Sequence, residues 1–181
     1  MIAGLYGMVE PSLGDPEWQA RLLAEEGVGV IQLRCKTWPR EAVRALAERL
    51  RNLPAALVIN DDAALAAELG LVAHLGDGDG PAVGPHGRST HTLASVEAET
   101  EALYVGFGPV YSTGSKATPW SPRGAKMLGE AVRCSPRPVV AIGGIGVHSI
   151  EEVRATGVAG WAVIGAIWAH ADPRSIIRLL R

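Results

Sequence analysis

The sequence predicts an α/β fold in which eight parallel strands alternate with helices and close into a compact (β/α)8 barrel. Three observations carry this. Short apolar or β-branched runs alternate with Ala- and Leu-rich amphipathic segments along all 181 residues. The strand runs are nearly continuous in apolar residues, as expected of strands buried on both faces of a parallel sheet. Hydrophobic residues make up 48% of the chain, enough for one well-buried core and therefore one domain over 1–181. Eightfold alternation closes most simply into a barrel. The barrel is a short one, since about 250 residues is typical, and a doubly wound open sheet is the alternative.

The elements follow in order. Strand candidates are 3–9 (AGLYGMV), 28–34 (VGVIQLR), 55–60 (AALVIN), 72–75 (VAHL), 86–90 (HGRST), 103–107 (LYVGF), 138–142 (PVVAI) and 160–164 (GWAVI). Helices are expected over 16–26, 39–52, 61–69, 92–101, 124–133, 148–156 and 173–180. In 39–52, Val43, Leu46, Ala47 and Leu50 recur at helical spacing with Arg and Glu opposite. Pro39 stands near its start, where a missing N–H does no harm. Asp15-Pro16 and Ser149 are helix-start signals. One helix is missing: GDGDGPAVGPHG between the fourth and fifth strands has no helical pattern.

Composition narrows the function classes. The net charge of −2 gives no basic field for nucleic acid. Cys35 and Cys134 are the only cysteines. They form neither a disulfide framework nor a metal-ligand spacing, which fits a reducing cytoplasm. MIAGLYGMVEPSLGD has no basic stretch ahead of an apolar one, so it is not a secretory signal. The longest apolar runs are too short to span a bilayer. The expectation is a cytoplasmic protein with no membrane or nucleic-acid partner. An exposed gap in the helix ring would be a reason to form a homo-oligomer.

Polar residues collect at strand C-termini. In VIQLRCK the side chains of Gln32, Arg34 and Lys36 share one face and Ile31, Leu33 and Cys35 the other. Asn60-Asp61 ends the third strand. His74, Asp77 and Asp79 follow the fourth, and Ser89 and His91 the fifth. Thr113, Ser115 and Lys116 lie after the sixth. Gly143-Gly144 ends the seventh and Gly165 the eighth. In a (β/α)8 barrel these converge on the rim where active sites are built. Cations with two carboxylates around one pocket suggest a phosphate ester with Mg²⁺, held by Asp61 and Asp79. AIGGIG offers backbone N–H groups to a phosphate. Each residue alone also has a plain reading. Arg34 or Lys36 could pair with Asp61, Asp61-Asp62 could cap a helix, and His74 could be a satisfied buried histidine. Cys35 reads as a small core residue, and Trp120, Trp161 and Trp168 read as packing.

The ordered set QLR-K, IND, HLG-x-x-D, STHT, GFGPVYSTGSK, VVAIGGI and GWAVIGAI resembles the thiamine-phosphate synthase and TenI family, from about residue 4 to 173. The resemblance implies an enzyme that joins hydroxymethylpyrimidine diphosphate to thiazole phosphate and releases diphosphate. It implies that Gln32, Arg34, Lys36 and Asn60 hold the pyrimidine diphosphate and that Asp61 and Asp79 hold Mg²⁺. Ser89 would lie near the pyrimidine diphosphate, and Lys116 by the leaving group. Thr113, Ser115 and Gly144 would contact the thiazole phosphate, and Gly165 would offer a backbone N–H where the family has a serine. The TenI branch implies a second reading, aromatisation of a thiazole phosphate tautomer with His91 as acid–base and no metal. A third is a phosphate-ligand binding homologue without turnover.

Overall fold

The computed structural model describes residues 2–76, 78–114 and 119–181. Eight parallel strands close on themselves in chain order. They are β1 (Gly4–Val9), β2 (Val30–Leu33), β3 (Ala56–Asn60), β4 (Val72–Leu75), β5 (His86–Thr90), β6 (Tyr104–Phe107), β7 (Val139–Ile142) and β8 (Gly160–Val163). Closure is made by β8 against β1, with Leu5 beside Trp161 and Gly7 beside Val163. All eight predicted strands are present, with bounds within two residues of those expected.

The helices are α1 (Pro16–Glu25), α2 (Arg40–Leu50), α3 (Ala63–Leu69), α4 (Leu93–Ala98), α5 (Gly124–Cys134), α6 (Ile150–Ala155), α7 (Gly165–Trp168) and α8 (Pro173–Leu180). Their starts follow local chemistry. The Asp15 carboxylate accepts from Glu17 N ahead of Pro16 in α1, and Asp62 accepts from Leu65 N at α3. Thr92 and Ser95 cap α4 reciprocally, and Asp172 accepts from Ser175 N at α8. Such caps satisfy donors that have no acceptor within the helix. Helix α4 is shorter than expected because Glu99 turns its carboxylate onto the N–H groups of Glu101 and Ala102. The short α7 and a 3₁₀ turn at Pro11–Leu13 were not foreseen, since single turns are too short to carry a periodic pattern.

The expected gap is real. The described residues between β4 and β5 form no helix. Amphipathic helices cover the barrel with Leu22, Leu23, Leu46, Leu50, Leu65, Leu128, Val153 and Ile177, all nearly or wholly buried. Trp161 and Trp168 belong to this packing. Their indole N–H groups donate to Leu180 O at 2.8 Å and Met8 O at 2.7 Å. No helix among the described residues is long and apolar enough to cross a membrane.

Candidate active site

A cavity of about 350 Å³ opens at the C-terminal rim. Every strand supplies part of its floor: Met8, Gln32, Asn60, His74, Ser89, Gly106, Ile142 and Ala162 come from β1 through β8 in turn. The predicted convergence on one rim is observed for Gln32, Arg34, Lys36, Asn60, Asp61, Ser89, His91, Thr113, Gly144 and Gly165, which all line it. Ser115 and Lys116 lie outside the described residues.

The Gln32–Arg34–Lys36 row holds, although β2 ends at Leu33 and leaves the two cations in the following loop. Gln32 is buried and donates through Nε2 to Asn60 Oδ1 at 2.7 Å. Arg34 donates to the Glu10 carboxylate. Lys36 Nζ lies 3.0 Å from Asp61 Oδ2. Cys35, facing away, is buried. Burial, and then the charge of Glu10, pushes its thiol up to about 12, so at neutral pH it remains a protonated core residue.

The pair Asp61-Asp62 divides its duties. Asp62 caps α3 and also accepts from Arg40 Nε at 3.0 Å. Asp61 adopts a positive φ of 63°, with its N–H donating to His74 O at 2.9 Å, and it reaches the cavity. A left-handed backbone is uncommon outside glycine, and Asp is among the residues that tolerate it. Asp79 is not among the cavity-lining residues. Its Oδ2 accepts from Gly76 N at 2.5 Å, and Gly76 does line the cavity.

Mg²⁺, which the resemblance implies, takes one or two protein carboxylates and completes its shell with water and phosphate. Among the described residues no three His, Cys, Asp or Glu side chains converge as ligands. Asp61 on the wall and Asp79 in the adjoining turn carry hard carboxylate oxygens, the donor type such a cation takes.

His74 is buried, as its position in a strand suggested. Its Nδ1 lies 2.9 Å from the Tyr104 hydroxyl and its Nε2 2.9 Å from Ser89 Oγ. His91 Nδ1 lies 2.5 Å from Gly108 O, so that nitrogen carries a proton. Its ring stacks on Trp120 at 5.2 Å between centroids, and the Arg123 guanidinium packs over the same indole at 5.0 Å. Trp120 is therefore more than general packing, since it ties the loop after β6 to His91.

The loop after β6 is strapped to the loop after β7. Val110 N donates to Ile142 O at 2.9 Å and Tyr111 N to Gly143 O at 3.0 Å. Gly144 makes this approach feasible. Its φ is +68°, and a Cβ there would stand 2.4 Å from Ser112 O. Sequence reasoning missed Glu10, Tyr6 and Tyr104. Glu10 sits one residue past an apolar strand, and the two tyrosines lie within apolar runs, so none carries a local signal.

The thiamine monophosphate synthase family model matches residues 5–167. The chain belongs to the thiamine monophosphate synthase family. A thiamine-phosphate synthase of Anaeromyxobacter dehalogenans is 40% identical over 189 residues, covering 96% of this chain and 84% of the relative. One from Herpetosiphon aurantiacus is 36% identical over 196 residues, covering 96% and 93%. Among solved structures, a thiamine phosphate pyrophosphorylase from Pyrococcus furiosus superimposes with a TM-score of 0.85 at 30% identity, covering 98% of this chain and 93% of the other. The barrel and the expected family are thus both borne out. Membership of the thiamine monophosphate synthase family makes this an enzyme of the transferase class.

Proposed function

We propose that this chain joins hydroxymethylpyrimidine diphosphate to thiazole phosphate and releases diphosphate. One observation carries the reading within the family: a single rim cavity is lined by Arg34, Lys36, Asp61, paired amides and a glycine-opened backbone loop. The exocyclic carbon of the pyrimidine gives up its C–O bond, and the electron pair leaves on the diphosphate. The electron-rich ring stabilises the resulting cation. The thiazole nitrogen then donates its lone pair to that carbon and forms the C–N bond. No protein nucleophile is needed, so the protein's work is to stabilise charge and to orient.

In this reading Arg34 and Lys36 meet the negative charge that grows on the diphosphate, a role the resemblance extends to Lys116. Gln32, Asn60 and Ser89 hold the pyrimidine diphosphate. Thr113, Ser115 and the backbone at Gly144 and Gly165 hold the thiazole phosphate. Asp61 and Asp79 would hold Mg²⁺, which supplies charge neutralisation at the leaving diphosphate. Lys36 then exchanges its partner, from Asp61 to the anion, as the charges assemble.

Turnover with and without EDTA tests the proposal. Diphosphate release that needs both substrates and disappears with the chelator is the expected result. Conversion of a thiazole tautomer that survives EDTA would instead assign the proton-transfer reaction to His91. Binding of thiazole phosphate with neither reaction would mark a homologue without turnover.

A further inference from the structure

Four polar side chains form a line from the centre of the barrel to the cavity. The Tyr6 hydroxyl lies 2.9 Å from that of Tyr104. Tyr104 Oη lies 2.9 Å from His74 Nδ1, and His74 Nε2 lies 2.9 Å from Ser89 Oγ. The site is built for this line. A Cβ on Gly87 would stand 2.1 Å from the Tyr104 ring, and one on Gly106 would stand 3.2 Å from His74 Cε1. Glycines on β5 and β6 thus clear the space that the two rings fill.

When the imidazole is neutral, the line can run with Nδ1 protonated or with Nε2 protonated. In the first case Ser89 donates inward to Nε2 and Nδ1 donates to Tyr104, and the two phenols share one hydrogen bond in either direction. One phenol proton is then left in the core, since each hydroxyl is the other's partner and Tyr6 and Tyr104 are 2% and 1% exposed. A buried donor without an acceptor bears its full desolvation penalty. In the other, Tyr6 donates to Tyr104, Tyr104 donates to Nδ1, and Nε2 donates to Ser89 Oγ. Every buried donor then has an acceptor. Burial pushes both phenols above their ordinary range, so each keeps the proton that this arrangement requires.

We propose that the blind end of this chain fixes His74 as the Nε2–H tautomer, so that Ser89 is held as a hydrogen-bond donor into the cavity. His74, Tyr104 and Tyr6 are positioning residues that act through Ser89. The preferred ligand atom is accordingly an acceptor, a phosphate oxygen or a ring nitrogen. That it belongs to the pyrimidine diphosphate rests on the synthase reading; the tautomer does not.

The test reads the tautomer directly. Imidazole nitrogen NMR over a pH series is run on chain labelled at histidine, with His74 identified by its loss in His74→Asn and the tautomer read from its neutral form. A protonated Nε2 and unprotonated Nδ1 are expected, and a proton on Nδ1 overturns the proposal. Tyr6→Phe should keep the Nε2 proton, because Tyr104 becomes the blind end and still donates outward. Tyr104→Phe should weaken the selection and show a mixed population, while an unchanged spectrum would overturn the role of Tyr104. With hydroxymethylpyrimidine diphosphate as the varied substrate, Ser89→Ala should raise KM about tenfold in the wild-type background and less than about threefold in Tyr104→Phe. Equal effects in both backgrounds count against the coupling. The nitrogen spectrum needs no turnover, so it decides the tautomer even if the synthase reading fails.

Discussion

Arg34, at the mouth of the barrel, turns its guanidinium back onto the carboxylate of Glu10 at the end of the neighbouring strand. Both side chains are mostly shielded from solvent, with 14% and 11% of their surfaces exposed. The pair holds a cation at the rim in a fixed pose while no substrate is present. Removing one partner of a shielded pair strands the other charge. Glu10→Ala should therefore lower unfolding stability by about 2 kcal/mol, measured from the urea midpoint. It should also raise KM for the pyrimidine diphosphate. Glu10→Gln keeps an acceptor and should lose less of both. Wild-type stability in Glu10→Ala would mean that Arg34 is positioned by something else.

Lys36 and Asp61 tell a different story. They are 3.0 Å apart, but their side chains are 42% and 37% exposed. An ion pair this open contributes little to stability, of the order of 0.5 kcal/mol or less. Lys36→Met should accordingly melt within about 2 °C of the wild type while turnover falls at least tenfold, the result expected if the proposed role of this charge at the leaving diphosphate holds. A parallel loss of melting temperature and rate would make the pair structural.

The barrel was legible because its periodicities are strong and repeated. The apolar runs at Val30–Leu33 and Val139–Ile142 have no other economical reading, and polar residues at their C-terminal ends imply a shared rim. The row Gln32, Arg34 and Lys36 was legible for the same reason. What was not legible came from partners distant in sequence. Nothing near Glu10 announces Arg34, and nothing near Tyr6 announces Tyr104, since both contacts exist only after the sheet closes. The dipeptide Asp61-Asp62 was ambiguous because both a cap and a cavity ligand want a carboxylate there. Backbone direction resolves it, with the positive φ of Asp61 sending one carboxylate to the cavity and leaving the other on the helix. Single-turn elements such as Gly165–Trp168 are too short to leave a pattern.

Alkaline pH should destabilise the fold before it reaches any surface arginine. Burial and then Glu10 push Cys35 from its ordinary 9.0 up to about 12. Burial, then the hydrogen bond and charge of Glu152, push Tyr111 from 10.0 up to about 12. The folded chain holds protons that the unfolded chain releases, so between about pH 9 and pH 12 the native state binds more protons than the unfolded one. The contribution to stability is complete below pH 9 and is lost as the pH rises toward 12. Tyr6 and Tyr104 act in the same direction. The urea midpoint should fall as the pH rises from about 9 toward 12, and Cys35→Ala should lessen the fall. A flat midpoint over that range would show that these groups are solvated in the native state.

Gly144 offers the sharpest test of the proposed division of the rim between the two substrates. Its φ of +68° is costly for any residue with a Cβ, and that atom would stand 2.4 Å from the Ser112 carbonyl and 2.7 Å from Tyr111 Cβ. Gly144→Ala must therefore push the loop after β7 away from the loop after β6 and lengthen the strap from Tyr111 N to Gly143 O. The other side of the cavity, where Gln32 meets Asn60 and Arg34 meets Glu10, is built on β1, β2 and β3 and need not move. The expected result is a rise of at least tenfold in KM for the thiazole phosphate, with KM for the pyrimidine diphosphate changed less than about twofold. Steady-state kinetics with each substrate varied in turn provides the measurement. Equal rises in both KM values would place the two ligands on a common loop and contradict the division of the rim into a pyrimidine side and a phosphate side.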